Sequence, residues 1–313
     1  MDRWRILDIE QNRKTSSDLP DPEARKAPAE SGQTAARGTT GSSDDATKLV
    51  PQPVAIAAAR SPERRTQHNA QDRSYSLRSS EIRAMLDIGK FRTVDLKDLV
   101  RFAFQGDEAR MNQDIRSLRS QGLLQEKTIY RAHRQPRRIL TLTEQGQRIL
   151  RKGGQVARDQ RLYHGFVKPR EIDHDADLYK VYQKEAADIE RQGGKPIKVR
   201  LDFELKGAVS RDREAAGKLP EGQREAWLKA IAEQHGLTIK GGTIQLPDIQ
   251  IEYETADGTL AHANIELVSE NYRGDAIRSK AGAGFKVYAR VGDANRVKRA
   301  LQDTGVVEEI LSI

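Results

Sequence analysis

The chain has 313 residues, 54 Lys and Arg against 46 Asp and Glu, a formal charge of +8 and no cysteine. That length accommodates two ordinary domains, and the lack of cysteine excludes disulfides, thiolate zinc sites and cysteine nucleophiles. No apolar run approaches the roughly 18–20 residues that cross a bilayer, and Met1-Asp2-Arg3-Trp4-Arg5 leads only into a short Ile6-Leu7 pair, so no membrane contact is expected and the expected setting is the cytoplasm.

Residues 12–75 hold mostly Ser, Thr, Ala, Gly, Pro, Arg and Asp. Such a stretch buries too little surface to offset its ordering entropy, so residues 1–75 are expected to be a disordered leader. Trp4, Ile6, Leu7 and Ile9 in front of it read as a short strand, a frayed end or a docking peptide. Order is expected from Ser76. Ser79 or Ser80 caps a helix carrying Ile82, Met85, Leu86 and Ile88. Thr93 caps a second with Val94, Leu96, Leu99, Val100 and Phe102. After the Gln105-Gly106-Asp107 turn, a third helix from Glu108 to Gln121 places Met111, Ile115 and Leu118 on one stripe. Gly122 ends it. A hairpin spans Leu123 to Leu142, and Thr143 opens a fourth helix that Gly153-Gly154 breaks.

These elements assign residues 76–152 to a winged helix-turn-helix and 153–194 to a linker with a connecting helix from Asp173 to Arg191, stopped by Gly193-Gly194. From Lys195 the period becomes two, with Val199, Leu201, Phe203 and Leu205 alternating with Arg200, Asp202, Glu204 and Lys206. A helix near 223–234 follows, then strands near 245–254 and 261–269 around an Ala256-Asp257-Gly258 turn. A helix near 274–283, a strand at 285–290, a helix at 293–302 and a strand at 306–313 complete an α+β chain. Its last part, 195–313, is an α/β domain with a mixed sheet.

The hairpin tip carries the clearest chemistry. Residues 127–138 hold five Lys or Arg and no acid, a pattern suited to phosphate. In a helix-turn-helix, two helices brace a third whose outer face enters the major groove. With the apolar stripe turned inward, Arg110, Asn112, Gln113, Arg116 and Arg119 face solvent or base edges, where Arg reads guanine and Asn or Gln reads adenine. Arg131, Arg134, Arg137 and Arg138 on the wing are expected to hold phosphates, giving affinity without sequence information. The expected partner is double-stranded DNA, bound without any cofactor.

Leu118…Gly122-Leu123-Leu124 and Leu142-Thr143-Glu144-Gln145-Gly146 resemble the winged helices of multiple-antibiotic-resistance regulators (MarR-type), over about 70 residues. Arg137-Arg138 stand where that family usually has an Asp-Arg pair, and the long flanking helices of its dimers are missing. The resemblance implies transcription regulation.

In the second half, Leu246-Pro247-Asp248 followed by Glu266 is similar to the PD-(D/E)xK nucleases. That resemblance implies Asp248 and Glu266 as ligands of Mg²⁺, which activates water for phosphodiester hydrolysis. Val268 stands where the family has lysine. Lys280 shares a helix face with Arg273, Ala276 and Ile277. There its amine either reaches an acid, as a displaced catalytic lysine, or passes out to solvent. Asp202, Glu204, Glu252 and Glu254 are expected on the solvated face of strands. Asp173 is expected to cap its helix and His174 to pack. Together, the leader, winged helix, Asp173-His174-Asp175-Ala176 helix and Pro247-Asp248 domain resemble replication-relaxation proteins of mobile elements. This implies DNA replication or transfer, with a degenerate nuclease-like domain and either a homodimer or the replication/transfer machinery as further partner.

Overall fold

The computed structural model describes residues 63–70, 73–131, 134–154, 156–157, 159–169, 171–216, 220–268, 274–302 and 311–312. The expected strand or docking peptide at Trp4–Ile9 and most of the expected leader lie outside the described residues. Residues 66–70 and 73–77 do not: they form two strands, β1 (Thr66–Ala70) and β2 (Arg73–Leu77), paired antiparallel from Thr66↔Leu77 to Ala70↔Arg73. Ala70, Tyr75 and Leu77 are buried in the main core. Three apolar anchors suffice here because the strand pair packs on a domain already formed, which composition alone does not register.

The next elements are α1 (Ser79–Lys90), β3 (Val94–Asp95), α2 (Leu96–Ala103), α3 (Glu108–Ser120), β4 (Leu124–Arg131), β5 (Arg134–Leu142) and α4 (Glu144–Lys152). The expected caps shift by a residue or more. Arg78 precedes α1 and donates its N–H to Glu81 at 2.7 Å, while Ser80 turns its hydroxyl to buried Asp114 at 2.6 Å. Val94 and Asp95 first pair with Leu140 and Ile139. α2 therefore starts later than the Thr93 cap implied, with Asp95 Oδ1 accepting from Lys97 N at 2.9 Å. The stripe of α3 is as read: Met111, Ile115 and Leu118 are all buried. Thr143 does cap α4, accepting from Gly146 N at 3.0 Å. Gly146 itself permits close approach, since a Cβ there would lie 2.3 Å from the Leu123 carbonyl oxygen. The sheet order is β3-β5-β4, antiparallel throughout.

α5 (Ile172–Arg191) leads to β6 (Lys195–Leu201), α6 (Asp202–Ala216), α7 (Glu221–Gln234), β7 (Ile239–Lys240), β8 (Thr243–Ile244), β9 (Ile249–Glu254), β10 (Leu260–Val268), α8 (Gly274–Ala281), β11 (Lys286–Ala289), α9 (Val291–Gln302) and β12 (Leu311–Ser312). The expected strand through Leu205 stops at Leu201. Leu201, Leu205 and Val209 are also spaced i, i+4, i+8, and the helical period wins because all three bury on that spacing. Asp202 and Glu204 thus start a helix rather than line a strand, and buried Glu204 accepts the Leu201 N–H at 3.2 Å.

The five-stranded sheet runs β12-β11-β10-β9-β6 and is mixed. β6, β9 and β10 form an antiparallel meander, while β10 and β11 are parallel. A parallel neighbour requires a crossover, which α8 supplies. One sheet face presents Ile249, Ile251, Ile265, Leu267 and Tyr288 to the cluster that includes Leu178, Tyr179, Val181 and Ile189 of α5. On the other, Val268, Ile277, Ala281, Val287, Ala289 and Val297 join α8 and α9. The first cluster continues without a break through Phe91 into α1–α3, with the Phe91 ring 5.4 Å from Tyr179 and 5.0 Å from Tyr182. α5 is therefore shared by both halves of the chain.

Candidate nucleic-acid interface and the sheet-end carboxylates

Side chains alternate across a strand, and this splits the basic hairpin in two. Ile129 and Ile139 point to α5, where they pack with Ile172 and Ala176. Burying each isoleucine contributes about 1.5–3 kcal/mol. On that same side Arg137 enters a cradle of three carboxylates: Nε to Asp95 Oδ2 at 2.7 Å, Nη1 to Asp173 Oδ1 at 3.1 Å and Nη2 to Asp177 Oδ1 at 3.3 Å. Burial disfavours its charge, but the Asp177, Asp95 and Asp173 carboxylates outweigh this and hold its pKa above the ordinary arginine value. Arg131 joins Asp173 at 3.1 Å and the Pro169 carbonyl at 2.8 Å. The expectation that Arg131 and Arg137 reach phosphates does not match these positions. Both are taken up by the protein's own acids, which lie roughly 40 residues downstream except for Asp95.

Arg138, the next residue along the strand, faces the opposite way. Its Nε donates to Glu126 Oε1 at 2.6 Å, while Arg119 Nη1 of α3 donates to Glu126 Oε2 at 2.7 Å. Beside them on α3, Gln113 and Arg116 are exposed and Asn112 is half-buried. Arg110, at the start of the helix, pairs with Glu63 at 2.9 Å. Arg134 lies in β5, and its side chain is outside the described residues. Lys127 and Tyr130 are exposed. Thus Gln113 and Arg116 are exposed on α3, Arg119 and Arg138 share Glu126 with each side chain still 47% exposed, Lys127 stands opposite Ile139 on the α5 side, and Arg110, Arg131 and Arg137 meet other acids of the fold. Glu126 stands one residue before the basic segment 127–138, and Glu63 lies far before Arg110 in the chain, so neither pairing is visible in the local charge pattern.

A second cluster lies where α5 begins. Asp173 does not cap α5, whose N-cap is Glu171; it binds the wing arginines. His174 is not simply packed: Nδ1 is 3.6 Å from Asp175 and Nε2 is 3.5 Å from Asp248. Burial alone would lower its pKa, but hydrogen bonds and attraction to both carboxylates raise it to about 10. Asp248 precedes β9, and its Oδ2 accepts the Leu267 N–H at 2.8 Å. The neighbouring Glu266 is buried on β10, facing α8, and Lys280 reaches it at 3.2 Å, also donating to the Leu246 carbonyl. The Lys280 amine therefore meets an acid rather than solvent. It also lies over the Phe285 ring, 5.2 Å from the centroid. Asp202 stands nearby, its N–H donating to the Asp248 carbonyl at 2.9 Å. Its pKa is raised by burial and by the Asp248 charge.

The order α5-β6-β9-β10-α8-β11 brings Asp248 and Glu266 to neighbouring strands. Divalent magnesium takes hard oxygen donors in an open octahedral arrangement. Here each carboxylate is already matched by a cation, and among the described residues no group of three or more His, Cys, Asp or Glu is placed to hold a metal ion. As arranged, these residues do not fit Mg²⁺. Among the described residues no helix is long and apolar enough to cross a membrane.

No family model matches the chain, and no curated protein matches it. Among solved structures it is similar to Bacillus subtilis PadR in complex with operator DNA, at 14% identity and a TM-score of 0.20, over 49% of this chain and 89% of that one. A likeness of that score carries no argument for fold or function.

Proposed function

We propose that the chain is a duplex-DNA-binding protein whose reader is a winged helix made of α1, β3, α2, α3, β4 and β5. The order helix, strand, helix, helix, hairpin and the β3-β5-β4 sheet support that reading. One observation carries it: the outer face of α3 and the Arg138 side of the hairpin are joined through Glu126 into one cationic surface. Gln113 and Arg116 supply base-reading chemistry, and Arg119 and Arg138 supply phosphate contacts. The other hairpin face is committed to α5, so the wing is a rigid buttress on one side and a DNA contact on the other. Regulation of transcription, or an accessory part in mobile-element replication or transfer, follows from such binding.

The second half is proposed as a nuclease-like scaffold without turnover. Lys280 supports this, because it supplies from α8 the charge that Val268 lacks, yet it neutralises Glu266 instead of leaving it open. The test is equilibrium binding to mixed-sequence duplex across a salt series, with and without Mg²⁺, followed by a cleavage check. The slope of log K against log salt is expected to be about −0.9 for each phosphate contacted. The expected result is Mg²⁺-independent binding with no cut DNA. Salt-insensitive binding would overturn the interface, and nicking lost in Asp248→Ala or Glu266→Ala would overturn the scaffold reading.

A further inference from the structure

Glu126 is an acid on the face that the proposed function gives to a polyanion, and simple electrostatics makes it a liability there. Its geometry supplies a reason for it. In the β4–β5 register Glu126 stands opposite Leu140 and Arg138 opposite Thr128, so the two side chains are diagonal neighbours on one sheet face. Gly122, in a left-handed conformation at φ 73°, turns the end of α3 directly into β4. That places Arg119, from the last turn of α3, beside the same carboxylate. Glu126 is only 9% exposed, whereas Arg119 and Arg138 are each 47% exposed. Each carboxylate oxygen serves one guanidinium: Oε2 takes Arg119 Nη1 and Oε1 takes Arg138 Nε. Among the described residues no other acid pairs with either arginine. The trio carries one net positive charge, and the remaining guanidinium N–H groups are free to donate outward. Alongside lies an open groove of about 570 Å³, lined by Arg116, Arg119 and Ser120 of α3, Gln125 and Glu126 of β4, and Phe166.

We infer that Arg119 and Arg138 form a two-arginine clamp for one backbone phosphate of duplex DNA, with Glu126 as the positioning residue that holds both guanidinium groups. The inference rests on the DNA-binding reading. Arginine suits the task because its planar fork meets two phosphate oxygens at once. Left alone, two long arginines lose rotamer freedom when they bind; tied to a buried carboxylate, they have lost it beforehand. The clamp also links reader helix and wing, so one phosphate fixes the register of both.

The sign of one substitution separates positioning from charge. Glu126→Gln keeps the shape and removes a negative charge from the DNA face. Charge alone would tighten duplex binding, whereas the clamp requires binding to weaken by about three- to tenfold as the arginines come loose. Fluorescence anisotropy on a mixed-sequence duplex, using the full chain, measures this. Arg119→Ala, Arg138→Ala and their double variant make the second arm and do not depend on Glu126→Gln folding. The double variant is expected to lose little more affinity than either single one, because half a clamp holds poorly. Inorganic phosphate, titrated alone, is the third arm. Tighter or unchanged binding by Glu126→Gln, or additive losses in the arginine cycle, would overturn the clamp while leaving DNA binding intact. No duplex binding by the wild type, or phosphate binding without duplex binding, would overturn both.

Discussion

Removing Arg137 tests whether the wing is built into the protein rather than held out for a ligand. Arg137 is 23% exposed, and its three carboxylate partners Asp95, Asp173 and Asp177 are 6%, 17% and 5% exposed. In Arg137→Ala these acids do not fare equally. Asp177 keeps Arg290 at 2.7 Å and Lys180 at 3.6 Å, and Asp173 keeps Arg131 at 3.1 Å. Asp95 keeps only the Lys97 N–H at 2.9 Å. Breaking a buried pair from one side costs about 3–5 kcal/mol. With two of three acids still partnered, the lower end, about 3 kcal/mol, is expected. For a chain of this size that lowers Tm by about 6–12 °C. Urea unfolding followed by circular dichroism reads the change, and adding Asp95→Asn should recover part of it, because the orphaned charge goes with it. Arg131→Ala, at a more exposed pair, should cost no more than about 1 kcal/mol. Below its melting range, Arg137→Ala should bind duplex DNA with the wild-type salt slope. A loss under about 1 kcal/mol, or a shallower salt slope, would refute the reasoning and return Arg137 to the ligand-facing side.

Three further outcomes follow from the packing. Gly146→Val should destabilise by about 1–3 kcal/mol, since its Cβ meets the Leu123 carbonyl oxygen at 2.3 Å; unchanged thermal unfolding would contradict that contact. Lys280→Met should cost about 3 kcal/mol by removing the amine that meets buried Glu266, and Glu266→Gln in the same chain should restore part of it. His174 gives a pH signature. Its folded pKa, about 10, lies above the unfolded value near 6.5, so its stabilisation is full below pH 6.5 and fades as pH rises through 10. The stability difference between wild type and His174→Asn should therefore shrink between pH 7 and 10, and a pH-independent difference would count against the imidazolium.

Much of the fold was legible where one period dominated. Met111, Ile115 and Leu118 leave no alternative to a helix, and Ile249–Glu254 and Leu260–Val268 fall close to their expected strands. The reading failed where two periods coexist, as in Leu201-Phe203-Leu205-Val209, and where three anchors order the polar strand pair at 66–70 and 73–77. The interface was legible as charge but not as pairing. Arg137 and Arg138 look equivalent in sequence, yet strand alternation sends one to Asp95, Asp173 and Asp177 and the other to Glu126. Those partners are chosen by tertiary packing, across 42 residues in the case of Arg137 and Asp95, and no local pattern records them. The same holds for His174 and Asp248, which are neighbours only because α5 packs on the sheet.

The most direct measurement places a photocrosslinking amino acid at Gln113, on the outer face of α3, and in a second variant at Trp227, on α7. Each is irradiated with a mixed-sequence duplex at low salt. Crosslinks to DNA from position 113 and none from position 227 are expected. Bound duplex that crosslinks from 227 and not from 113 would contradict the assignment of the reader face.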